Sequence, residues 1–209
     1  MGSDNPLDSP TELPWPRKGD KLFASAEDWY HNACLNWQFD NWELYASGYK
    51  TAGDVLVQHI IETRSDRDTL VFPIVFNYRQ YLELRCKEII RVGRMLSDEA
   101  AEFPKTHDIR ILWAICRDII AELEPSASIA DLEAIDEAIE QFCSVDPKSE
   151  GFRYPEDRQG KSSIPAGLHI INLRQLRDVI ARVASFFDGV SMAFSVYLDH
   201  KADMQSASW

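Results

Sequence analysis

The stretch "HDIRILWAICRDIIAELE", residues 107–124, sets Ile109, Leu112, Trp113, Cys116, Ile119, Ile120 and Leu123 three and four residues apart. That spacing gathers the apolar side chains on one broad side of a 3.6-residue helix, and such a side has to be covered by another element. Four further segments carry the same signature. From 49 to 64, Ala52, Val55, Leu56 and Ile60 repeat at helical spacing around Gly53. A long helix is predicted from Asp68 or Thr69 to about Met95, provided Pro73 falls near its first turn. The 107–124 helix takes Thr106 or Asp108 as its cap and ends at Pro125. Ser128 caps a fourth helix with Leu132, Ile135, Ile139 and Phe142 inward and acidic residues outward, and "LHIINLRQLRDVIARVASFFDGVSMAFSVYLDHK" makes a last one, kinked or stopped at Gly189.

Helices that must cover one another define the fold class: all-α, an up-and-down bundle of about five or six helices. Residues 1–20, with four prolines, read as an extended lead-in, and 21–205 as a single helical domain. The segment "SEGFRYPEDRQGKSSIP" is the one place where strand is expected, as a short hairpin-like loop around Asp157 to Gly160. Trp29, Trp37 and Trp42 fall within fourteen residues and are expected to cap the end of a core; the other reading is an exposed surface for a partner.

Charge narrows the partners. Twenty-two basic against thirty-four acidic residues leave a net charge of -12, a field that repels extended double-stranded DNA. No run approaches the roughly 20 uncharged apolar residues of a membrane span, and no secretory leader is visible, so a cytoplasmic location is expected. Cys34, Cys86, Cys116 and Cys143 are scattered without a CxxC, and His31 with Cys34 has no second pair, so no metal site is expected. Neither a GxSxG elbow nor a phosphate-binding glycine loop occurs, and no cofactor is expected.

Three places could carry chemistry. In "FNYRQYLELRCKEIIR", residues 76–91, Arg79, Glu83 and Lys87 stand four apart with apolar bulk on both sides. The row is a solvated edge, a set of partly buried ion pairs, or an anion site. His107, followed by Asp108 and Arg110, opens the third helix, where its ring can cap, pack, meet a carboxylate, or act as acid or base. Arg153 and Tyr154, with Arg158 and Lys161 close by, form a basic and aromatic cluster on a loop. It can grip a phosphate or stack a base, or merely staple the loop to the bundle.

Taken in order, "FNYRQYLELRCKEII", "THDIRILW" and "FRYPEDRQG" resemble features of prokaryotic HEPN-type helical domains, over roughly residues 50 to 200. The resemblance implies an all-helical bundle, often dimeric, found in toxin-antitoxin pairs, phage defence and RNA processing. Many HEPN members carry a metal-independent RNase site, an arginine followed after four to six residues by a histidine on the last helix. This chain departs from that pattern: Arg174, Arg177 and Arg182 have no such histidine, and His59 and Arg64 stand in the wrong order. The expectation is therefore a non-catalytic binding or regulatory component of a defence or stress system. A partner protein, an RNA or a second copy would be bound through Arg79, Glu83, Lys87, Arg153, Tyr154 and Arg158. The alternative is a divergent endoribonuclease using His107 with Arg110 or another arginine.

Overall fold

The computed structural model describes residues 15–35, 42–147 and 149–207. The chain divides into two compact units, Met1–Phe39 and Asp40–Trp209. In the first, the described residues hold one 3-10 turn, Trp29–His31. Trp29 is 64% exposed beside Tyr30, so the core role expected for it fails. A three-residue turn presents no apolar stripe under which a large ring could be covered. Trp37 lies outside the described residues.

The second unit is all-helical, with α1 (Trp42–Thr63), α2 (Arg67–Leu96), α3 (Ile109–Leu123), α4 (Ile129–Val145) and α5 (Leu173–Ala207). Helix α1 starts a turn or two earlier than its periodicity suggests. Trp42, half-buried, meets Phe103 edge-on at 4.8 Å, and Ala46, Gly53 and Val57 face inward while Ala52 and Val55 are exposed. Arg64 and Asp66 both adopt left-handed backbone, which reverses the chain within a few residues and lays α2 back along α1. Pro73 is the seventh residue of α2 and sits on its exposed side. Its missing N–H leaves the carbonyl of Thr69, an exposed residue, to water, so the helix continues.

Helix α2 is the centre of the bundle and packs against α1, α3 and α5, while α4 lies against α3 and α5. Two glycines set how near its neighbours come. A Cβ on Gly53 would stand 2.7 Å from Cε1 of Tyr78, and one on Gly93 would stand 2.3 Å from Cγ2 of Ile119. Both helix caps expected of Asp108 and Ser128 form: each side chain accepts a backbone N–H, from Arg110 and Asp131. Cys86, Cys116 and Cys143 are buried, as small core fillers are, and Cys34 is exposed.

Helix α5 runs through Gly189 without a break, capped at its start by Asn172, whose Oδ1 accepts the N–H of Gln175 at 3.0 Å. By length and composition it is long and apolar enough to cross a membrane, although Ile180, Phe187 and Phe194 pack into the bundle. The segment between α4 and α5 forms no strand among the described residues. It holds one antiparallel bridge, Glu156 with Ser162, around a turn in which Asp157 Oδ1 accepts the N–H groups of Gln159 and Lys161 and Gly160 takes a φ of +74°.

Candidate functional site

The row on α2 is not a solvated edge. Arg79 is 0% exposed, Glu83 1% and Lys87 8%, because the segment from Ser97 to Asp108 and the start of α3 close over them. Glu83 is the hub. Its Oε1 accepts from Lys87 Nζ at 2.7 Å and pairs with His107 Nδ1 at 2.9 Å, and its Oε2 faces Arg79 Nη1 at 3.4 Å. Arg79 Nη2 also donates to the backbone carbonyl of His107, and Lys87 Nζ lies 5.5 Å from the centroid of the Phe103 ring. Burial by itself would raise the Glu83 carboxyl, but hydrogen bonds from Lys87 and His107, together with their charges, outweigh it and hold the group below the usual range.

His107 thus has two attachments to α2, through its ring and through its carbonyl, while its side chain stays 76% exposed. The Nδ1 edge is held by a carboxylate and the rest of the ring faces solvent. Arg110, expected beside it, is turned away: its Nε and Nη2 both reach Glu140 of α4 at 2.9 Å. That pairing crosses between α3 and α4 and leaves Arg110 outside the Glu83 cluster.

The second group sits against the first turns of α2, ahead of the charged row. Asp146 is buried and its Oδ1 accepts the N–H groups of Glu150 and Gly151 at 2.9 and 3.0 Å, which fixes the start of the loop. Phe152 is buried 6.5 Å from the ring of Phe72. One residue on, the Arg153 guanidinium lies 5.9 Å from the Phe76 ring and 5.2 Å from the Tyr154 ring. Both readings of this loop therefore apply to different residues: Phe152 is the staple, and Arg153 with Tyr154 is displayed. Arg158 lies exposed on the turn and joins neither group.

Phe76 and Glu83 are seven residues apart on α2. Seven residues are two turns, so both positions share a face, separated by about 10 Å. The exposed imidazole and the ring-flanked guanidinium are mounted on that one face. A separate apolar cavity of about 300 Å³, lined by Val75, Phe142, Leu168 and Val179 among others, includes none of the charged row. Among the described residues no cluster of His, Cys, Asp and Glu has the makings of a metal site.

Other polar groups in the core were not singled out by pattern. Arg85, 3% exposed, donates to Glu88, to Asp188 and to Ser191 of α5. Tyr78 donates to Asp54 at 2.8 Å, and burial, with that bond, pushes its hydroxyl far above the ordinary phenol range. These tie α2 to α5 and to α1. Comparison of the chain with protein-family models, with curated proteins and with solved structures finds no match.

Proposed function

We infer that this chain is a binding or regulatory component without catalytic activity, of HEPN-like type, in a prokaryotic defence or stress system. Its ligand carries phosphate, an RNA end being the form that suits the site. One observation carries the reading. Arg153 stands beside two aromatic rings, and among the described residues none of its guanidinium N–H groups has a protein acceptor. A guanidinium restrained in this way presents a fork that matches a phosphate, and the adjacent Tyr154, 53% exposed, offers a face on which a base can stack. His107, two turns along α2, adds a second polar contact.

Arg79 and Lys87 of the His107 cluster are already engaged by Glu83, and Arg110 by Glu140, while the guanidinium of Arg153, unpaired among the described residues, stands over a position about two turns of α2 away. That favours binding over cleavage. The rival reading, a metal-independent endoribonuclease, is supported by the carboxylate behind His107, since such a partner orients an imidazole for proton transfer. Two assays separate them. Fluorescence anisotropy with a short 5′-phosphorylated RNA should show binding that Arg153→Ala weakens about tenfold or more, the loss expected of a charge-assisted hydrogen bond. Incubation with total RNA in EDTA should leave the RNA intact. Cleavage that survives EDTA and disappears in His107→Ala would establish the nuclease instead.

A further inference from the structure

The cavity of about 300 Å³ beside Val75 lies between α4 and α5 and takes in neither the charged row nor Arg153. Native interiors are close-packed and leave few voids larger than a water molecule. This one stays open because Ala138 of α4 and Val179 of α5 are small, where a larger apolar residue would fill it. Its deep wall is apolar and covered: Val75 is 4% exposed, Phe152 6% and Ala138 9%. Its rim is polar yet uncharged, formed by Gln141, Asn172 and Gln175, all exposed. Among the described residues the carboxamides of Gln141 and Gln175 have no hydrogen-bond partner, and Asn172 commits only its Oδ1, to the N–H of Gln175. Among the described residues no charged side chain lines the space.

We propose that this cavity binds a neutral amphiphile of about ten to twelve non-hydrogen atoms. An apolar cavity of about 150 Å³ stays dry and takes up benzene, with six carbons, and twice that volume sets the size of the guest. Its hydrocarbon body lies against Val75, Ala138 and Phe152, and its single polar group, a hydroxyl, carbonyl or amide, meets the rim. A carboxamide both donates and accepts, so three of them suit a neutral polar group of any of these kinds. An ionised head fits badly, because the lining has no opposite charge to replace the water it would lose. A cavity with an apolar interior and a few convergent polar groups at its mouth is the usual form of a small-molecule site.

A second cavity adjoins the first and shares Phe152, Leu168, Ile170 and Ile171 with it, but it is charged, with Arg67, Asp68 and His169 in its lining. A fatty carboxylate lying across both, its head on Arg67, is the competing occupant. The opposed charge of Asp68 beside Arg67, and the net charge of -12 on the chain, weigh against it.

Isothermal titration calorimetry on the full chain with hexan-1-ol, octan-1-ol and decan-1-ol tests the site. Affinity should rise about fourfold per added methylene, as each one leaves water for the cavity. Decanoate and decylammonium should bind at least about tenfold more weakly than decanol. Val179→Phe, and independently Ala138→Leu, should remove alkanol binding by filling the space, with the helical circular dichroism of the wild type. Gln141→Ala combined with Gln175→Ala should weaken decanol about fivefold, the loss expected of neutral hydrogen bonds at an exposed rim. Absence of octanol binding at millimolar concentration overturns the proposal. An affinity indifferent to chain length does so too, as does binding that survives in whichever filled variant keeps its helical signal. Decanoate binding tighter than decanol and weakened by Arg67→Ala would overturn the neutral head and assign the site to a fatty carboxylate.

Discussion

Replacing Glu83 with alanine should be the most damaging single polar change in the bundle. The side chain is 1% exposed and receives Lys87 at 2.7 Å, His107 at 2.9 Å and Arg79 at 3.4 Å. Without it Arg79, fully buried and already lacking an acceptor at Nε, keeps only the carbonyl of His107, and Lys87 keeps only the face of Phe103. Breaking a buried pair from one side costs about 3–5 kcal/mol, most of it the penalty of leaving a charge unpaired in the interior. Against a total stability of about 5–15 kcal/mol, that is enough to bring the bundle close to unfolding at room temperature. Urea titration followed by helical circular dichroism reads the loss as a fall in midpoint at unchanged slope. Glu83→Gln, which keeps one acceptor oxygen, should lose less than alanine yet more than about 1.5 kcal/mol. The combined Arg79→Met, Glu83→Met and Lys87→Met variant should recover much of the deficit, since an apolar replacement leaves no orphaned charge. A loss below about 1 kcal/mol for Glu83→Ala would refute the reasoning, because Arg79 and Lys87 would then be satisfied by water.

The pH dependence follows from the same carboxyl. Its folded value lies below the unfolded one, so on acidification the unfolded chain takes up the proton first; the stability is whole above about pH 4.3 and drains away below it. Glu83→Gln should flatten the acid limb of a stability–pH curve relative to wild type. Gly93→Ala should destabilise by about 1–3 kcal/mol in urea melts, because its Cβ would collide with Ile119, whereas Gly189→Ala in open space should stabilise the monomer by up to about 1 kcal/mol. Under native conditions a thiol reagent should titrate Cys34 alone, with Cys86, Cys116 and Cys143 reacting only after denaturation.

Much of the bundle could be read from residue spacing because its signal is local. The α3 stripe, the caps at Asp108 and Ser128 and the inward residues of α4 each depend on neighbours within a turn or two. The charged row shows the limit. Apolar flanks announced partial burial, but nothing near α2 announces that Phe103 and His107 arrive from a loop to close it. Arg85 stands inside the same stretch with no local sign of its role in joining α2 to α5, because its partners Asp188 and Ser191 lie more than a hundred residues away. Arg153 over Phe76 is likewise a meeting of distant segments. Arg110 is close to His107 in sequence, yet helix geometry turns it to Glu140. Trp29 misled in the opposite way: a bulky ring is usually covered, but only if the chain around it builds something to cover it with.

The double tether on His107 has a thermodynamic side. A loop imidazole ordinarily samples several rotamers and a shifting backbone, and any ligand that uses it must first freeze them, at about 0.5–1.5 kcal/mol per ordered side chain. Here Arg79 fixes the peptide and Glu83 fixes the ring. That ordering is complete once the helices have assembled, so whatever meets the exposed edge finds it stationary, and its association should carry little entropic penalty from this residue.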